Sequence, residues 1–266
     1  AVISAPASFD EQQRAHLECA ARLAGIDVVA LIEEPVSAAL AHGLGRPEGE
    51  LLAIYDLGGS AFDCSVMEIR AKRCRVLASG GNSWLGGDDF DLAMAEHSAE
   101  LFNIQYDVDL DEHPQQWHRL LRICEGMKRQ LSDEPVASME LIDFLREDDE
   151  LLPLEITFDR GIMGELTREL LERTVAELED VLRIAGVDAD ELSRIVLTGG
   201  QSQSPVVQDF LRKAFGPRCE LAPDPEFATV FGNAIYARFR SLELNPTTGA
   251  TRAARCTAGC AAEDRL

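Results

Sequence analysis

The chain is short of positive charge. Its 266 residues carry 25 Lys and Arg against 47 Asp and Glu, a formal net charge of −22 and a pI near 4.5. A surface of that sign repels phosphate backbones and anionic lipid headgroups, which argues against nucleic acid and membrane as partners. It leaves room for a nucleotide, because a metal ion and a few Lys or Arg neutralise phosphates locally. Long hydrophobic runs are missing too. None approaches the roughly 18–20 residues that span a bilayer, and no secretory leader is recognisable. The seven cysteines (Cys19, Cys64, Cys74, Cys124, Cys219, Cys256 and Cys260) are odd in number and scattered. That favours a reduced, cytoplasmic interior over a disulfide framework. Cys256 and Cys260 lie close together, but no second pair completes a zinc site. The five histidines show no ligand-like grouping, no Ser/His/Asp nucleophile pattern occurs, and no repeat of 20–50 residues is present.

What is there is a hydrophobic fraction of 46%, enough at this length for one large domain or two lobes with a real core. Ala1–Ala5 reads as a strand already under way, so the sequence is expected to be a fragment of a longer protein. Ser8 and Glu11 have capping-box spacing, and the helix they open runs to about Ala24, where Gly25 ends it. A short strand at 28–32 precedes a helix that begins at Pro35 and stops at Gly43, and a polar turn follows over 46–50. Strands are expected at 51–56, 62–69 and 73–79. Gly80-Gly81 and Gly86-Gly87 then bracket a loop before a helix over 88–102. An acid-rich region holds a helix over 114–131 and strands near 136–142 and 151–156. One long helix is expected over 160–185, with Leu166, Leu170, Thr174, Leu178 and Leu182 recurring every four residues. A strand at 195–198, a helix over 205–215 and a last helix over 227–239 complete the folded part. Residues 245–266 read as a disordered tail.

Two strand–turn junctions carry the chemistry. The apolar run Leu51–Tyr55 ends in Asp56-Leu57-Gly58-Gly59, and Ile195–Thr198 ends in Gly199-Gly200. An acid at a strand's carboxyl end, followed by glycines, places a carboxylate beside a backbone that can turn tightly and approach a ligand. Two such turns suggest a nucleotide held between backbone loops, with metal near the acid. Asp56, Asp63 and Glu34 are hard oxygen donors at loop tips. They suit magnesium through its water shell, or the orientation of a water for attack on a phosphoryl group. Taken singly, each also reads as a solvated or capping acid. On the helix around 125–132, Glu125, Lys128, Arg129 and Ser132 share a face. Spacing alone makes them an exposed face with a Glu–Arg pair. A nucleotide reading makes them a platform on which Arg stacks a base while Glu, Lys and Ser meet the ribose.

Read together, AVISAPASFDEQQR, IEEPVSAALAHG, DLGGSAFDCSVMEI, GGNSWLGGDDFD, CEGMKRQLS and VLTGGQSQSPVVQDFLRKAFG resemble, in order and spacing, the nucleotide-binding domain of the seventy-kilodalton heat-shock chaperone family, DnaK type. The resemblance covers about residues 1–240. It implies an α/β, actin-like ATPase (ribonuclease H-like) fold, with an incomplete first lobe and a nearly complete second lobe carrying a smaller α+β subdomain. The implied boundaries are 1–44 for the end of the first lobe, 45–85 with 164–244 for the base of the second, and 86–163 for its upper part.

By the same resemblance, Glu34 places the attacking water, and Asp56 and Asp63 hold hydrated magnesium with an accompanying potassium ion. Gly58, Gly59 and Ser60 form the phosphate loop, with Gly58 and Gly59 cradling phosphates by their N–H groups. Glu125, Lys128, Arg129 and Ser132 meet the adenosine of ATP or ADP. Gly199, Gly200, Gln203 and Glu226 close over it, and Pro35 relays nucleotide state. Four positions depart from the family pattern, one of them Glu226, where an aspartate is expected near the end. The loop's third glycine is Ser60, which is expected to crowd the backbone. The threonine that reaches the γ-phosphate is Ala61, and the base-stacking arginine of the late turn is Gln203. A first phosphate hairpin, a catalytic lysine and a peptide-binding domain are expected outside this stretch, so by itself it is expected to hydrolyse ATP negligibly. The implied partners are unfolded client polypeptides, a J-domain co-chaperone and a nucleotide-exchange factor. A non-catalytic nucleotide-binding module of a divergent chaperone relative is the alternative. The helix around Lys128 argues against an actin-like filament protein or a sugar kinase.

Overall fold

The computed structural model describes residues 1–7, 9–42, 50–70, 73–147 and 149–244. The expected cap at Ser8, the stop at Gly43, the turn over 46–49 and the tail over 245–266 lie outside the described residues.

The chain opens with β1 (Val2–Ala5), α1 (Glu11–Leu23), β2 (Ala30–Glu33) and α2 (Glu34–Ala41). β1 and β2 pair in parallel with α1 as the crossover. The cap of α1 is Asp10, whose carboxylate accepts from Gln13 N at 2.8 Å while Gln13 Oε1 accepts from Asp10 N at 2.9 Å. Gly25 follows at φ 77, the left-handed conformation that ends the helix cheaply.

β3 (Glu50–Leu57), β4 (Phe62–Arg70) and β5 (Arg73–Asn82) form an antiparallel meander. α3 (Gly87–Tyr106), α4 (Pro114–Asp133) and the hairpin of β6 (Val136–Glu147) and β7 (Glu150–Asp159) follow. The chain then returns through α5 (Arg160–Leu166) and α6 (Arg168–Ala185) to β8 (Arg194–Thr198), α7 (Pro205–Phe215), β9 (Cys219–Leu221) and α8 (Ala228–Leu244). β8 adds in parallel to β3 and β9 in parallel to β8, which gives a five-stranded mixed sheet ordered β5-β4-β3-β8-β9. Gly80 and Gly81, expected in a loop, lie inside β5.

The middle strands β3, β4 and β8 are buried on both faces, which is why β3 reads as an unbroken apolar run. Side chains alternate along it. Ala53, Tyr55 and Leu57 join a large core with Phe90, Met94, Leu178 and Leu182. Leu52 and Ile54 point the other way, into a second core with Ile32, Val36, Leu40 and Tyr236. α2 and α8 cross so closely that a Cβ on Gly232 would overlap the Ser37 carbonyl.

The single helix expected over 160–185 is two. Thr167 is fully buried, and its hydroxyl donates to Met163 O at 2.8 Å. A Thr bonded back to its own preceding turn competes with the helical ladder and bends it. The buried seam of α6 is consequently Leu171, Thr174, Leu178, Val181 and Leu182, with Leu166 and Leu170 only partly buried.

Candidate functional site

Asp56 follows Leu52 and Ile54 on the same face of β3, towards α2. Register makes it the direct partner of Asp63 on β4 and of Thr198 on β8. Glu34, the first residue of α2, approaches from the β1–β2 side. Glu34, Asp56 and Asp63, together with Pro6, Ala7 and Pro35, line a small void of about 20 Å³, space on the order of one water molecule. Burial pushes the Glu34 carboxyl up to about 7, and the charges of Asp63 and then Asp56 add to the rise. Burial likewise raises Asp56 to about 6; the Thr198 hydroxyl opposes this and Asp63 reinforces it. Asp63 is raised by burial alone. Two carboxylates opposite each other across a strand pair repel.

Asp56 also forms part of a second, larger cleft of about 530 Å³. Around its wall stand Gly58 and Gly59 from the β3–β4 turn, and Glu125, Lys128, Arg129 and Ser132 from α4. Gly199, Gly200 and Gln203 from the turn after β8, and Glu226 before α8, complete the set expected from the sequence. Ser60 is the exception: it is exposed at the tip of its loop and does not line the cleft. Nor is it crowded into a glycine-only conformation, since among the described residues the positive-φ non-glycine residues are Asp107 and Asp149. Glu34 and Asp63 lie off the cleft, beyond Asp56, around the smaller void.

The turns are held by backbone hydrogen bonds. Gly58 N donates to Ala61 O at 2.9 Å, while Gly58 O and Gly59 O accept from Gly87 N and Asp88 N at 3.0 and 2.7 Å. The N–H of Gly58 is therefore engaged inside the loop, which corrects the expectation that both glycine N–H groups are available. The glycine that close approach requires is Gly86, where a Cβ would come within 2.5–2.7 Å of Gly59 O, Ser60 N and Ala61 N. At the second turn Gly199 has φ 84, and its N–H donates to Pro225 O at 2.9 Å. A Cβ there would overlap Leu57 O and come within 2.5 Å of Asp56 Oδ1. The two turns thus pack on each other through Asp56-Leu57.

On α4 the shared face divides in two. Arg129 is exposed and pairs with Glu125 at 2.8 Å. Lys128 is buried; its Nζ donates to Gly87 O at 2.6 Å and to Asp91 Oδ2 at 2.8 Å. Burial raises Asp91 to about 6, although the Lys128 ammonium pulls the other way. Asp91, Gly87, Asp88, Asp133, Gln201 and Ser204 also line the cleft and were not singled out from the sequence. One signal for Asp91 was available: it lies one turn into α3, behind Gly86-Gly87, where a buried acid needs a cationic partner.

Among the described residues no three His, Cys, Asp or Glu side chains gather closely enough to hold a bare metal ion. No helix among them is long and apolar enough to cross a membrane.

A family model described as Hsp70 protein matches residues 1–245. The chaperone protein DnaK of Thermosipho melanesiensis is 37% identical over 238 residues, which are 89% of this chain and 40% of that protein. The DnaK proteins of Thermotoga petrophila and Thermotoga maritima are 36% identical over 239 residues, with the same coverage. The chain spans about 40% of the length of these curated relatives.

Proposed function

The chain belongs to the Hsp70 family, and on that premise we propose that its cleft binds ATP and ADP together with magnesium. It then serves as part of the ATPase domain of a cytoplasmic chaperone. In the whole protein, ATP hydrolysis is coupled to binding and release of unfolded polypeptide, with a J-domain co-chaperone and a nucleotide-exchange factor as partners. The mixed α/β architecture is consistent with the actin-like ATPase fold. The observation that carries the reading is the single cleft lined by Gly58-Gly59, Gly199-Gly200 and the Glu125–Ser132 face of α4.

Magnesium, when bound, supplies positive charge that neutralises the phosphates. The donor set fits a hydrated hard cation. Asp56 and Asp63 are oxygen donors whose mutual repulsion a cation relieves, and the spread of the acids suits contact through water, potassium included. Gly59 offers its N–H to the phosphates and Gly58 shapes the loop. Arg129, exposed over the cleft, can exchange Glu125 for the face of a base. Ser132, Lys128 and Glu125 meet the sugar, and Gln203 and Glu226 flank the same end. Glu34 faces a void that fits one water, and its raised pKa suits a group that orients that water and takes up its proton.

A second reading, nucleotide binding without turnover, is favoured by Ala61 and Gln203, which lack the hydroxyl and the guanidinium of the family pattern. Calorimetry with magnesium ADP tests the common ground. Saturable one-to-one binding supports it, and no binding up to millimolar nucleotide overturns it. In the full-length protein, turnover that falls in Glu34→Ala supports the enzyme, and binding without turnover supports the module.

A further inference from the structure

Gln201 belongs to the short 3-10 turn Gly200–Gln203 that follows β8. It is 7% exposed, lines the cleft, and its Nε2 is buried with no hydrogen-bond partner. Its Oε1 is turned towards Gly87. A Cβ on Gly87 would stand 3.0 Å from that oxygen and 2.9 Å from Lys128 Nζ, so the amide and the ammonium converge on one glycine. Lys128 commits two of its three N–H groups to Gly87 O and Asp91 Oδ2. Asp91 Oδ1 is a second buried atom without a partner. Unpaired buried donors and acceptors are costly, and one beside a ligand cleft has a partner available when the ligand arrives.

We propose that Gln201 is a specificity-determining residue for the sugar of the bound nucleotide, hydrogen-bonded to a ribose hydroxyl beside Lys128. This rests on the nucleotide reading of the cleft given above. The knot's chemistry selects a hydroxyl. A phosphate here meets Asp91, whose charge already balances that of Lys128. An apolar group leaves the amide and the third ammonium N–H unpaired. A hydroxyl both donates and accepts, so it meets the amide in either orientation. The terminal torsion of Gln is broad and roughly twofold, so a half-turn brings Nε2 to the cleft. Gln203, two residues on, is exposed and cannot supply this buried contact.

The test is the dissociation constant of this chain, with magnesium present, for ADP, 2′-deoxy-ADP and 3′-deoxy-ADP, in the natural sequence and in Gln201→Ala. The natural chain is expected to favour ADP over at least one deoxy analogue by roughly three- to tenfold, the worth of one hydrogen bond. Gln201→Ala is expected to reduce that preference, with the contacts of Glu125, Lys128 and Ser132 remaining, while binding the same analogue as well as the natural chain does, which also reports that the variant is folded. An unchanged preference in Gln201→Ala overturns the assignment, and so does an equal loss for all three ligands. If the natural chain binds none of the three, the nucleotide reading itself fails and takes this assignment with it.

Discussion

Asp56 on β3 and Asp63 on β4 are direct cross-strand partners, and Glu34 at the start of α2 faces both across a void the size of one water. The three acids thus line one void, where burial raises all three pKa values and repulsion adds to the rise at Glu34 and Asp56. Under the proposed function, a hydrated cation offsets this repulsion.

The sign of the pH dependence follows. Each acid has a folded pKa above its unfolded one, so the folded state binds more protons in between and stability falls as pH rises. The window runs from the ordinary carboxylate range to about 7, the upper value being that of Glu34. Thermal melts of the metal-free chain between pH 4 and 8 check it. Asp63→Asn is expected to melt a few degrees higher than the natural chain at pH 7.5, with the difference vanishing near pH 4. A lower melting point for Asp63→Asn at pH 7.5 contradicts the account.

Lys128 and Asp91 form an ion pair whose side chains are each 9% exposed. Removing one partner strands the other. Lys128→Ala is expected to cost about 3 kcal/mol in urea denaturation, the low end for a broken buried pair because Asp91 can take up a proton. Adding Asp91→Asn is expected to recover part of that loss. Additive losses contradict the pairing.

The two glycines of the second turn should behave differently. Gly199 has φ 84 and no room for a Cβ, whereas a Cβ on Gly200 meets nothing within 4 Å. Gly199→Ala is expected to lose roughly 2–4 kcal/mol of stability. Gly200→Ala is expected to stay within about 1 kcal/mol of the natural chain. Equal losses contradict the packing of the turn on Asp56-Leu57.

Arg129 separates surface decoration from a binding role. Its pair with Glu125 is exposed, so Arg129→Ala should change stability by no more than about 0.5 kcal/mol. If the guanidinium stacks on the base, the same variant weakens ADP binding roughly five- to thirtyfold, since a desolvated cation–π contact is worth about 1–2 kcal/mol. Unchanged affinity removes Arg129 from the site.

Much of this fold is legible in the residues. The meander, the two glycine turns and helices α4 and α7 stand close to where apolar periodicity and Pro or Gly punctuation put them, because there local preference and packing agree. The departures have physical causes. Two capping-box spacings overlap in the sequence around the start of α1, Ser8 with Glu11 and Asp10 with Gln13, and pattern does not rank them; the structure describes the second. The bend at Thr167 comes from one hydroxyl bonding back to Met163, which leaves the four-residue apolar spacing intact. β9 is three residues long, and only its neighbour β8 makes it a strand. In the site, positions with backbone signatures were legible, whereas Asp91 carried only its place behind Gly86-Gly87 as a signal and Gln201 carried none. Their roles depend on partners 37 residues away at Lys128 and across the cleft at Gly87.

The most direct test is amide hydrogen exchange of this chain with and without magnesium ADP. Slowed exchange confined to 56–61, 86–91, 125–133 and 199–204 is the expected result. Nucleotide-dependent protection elsewhere, such as the groove lined by Ala41, Phe231 and Ile235, with no change at those four segments, contradicts the assignment of the cleft.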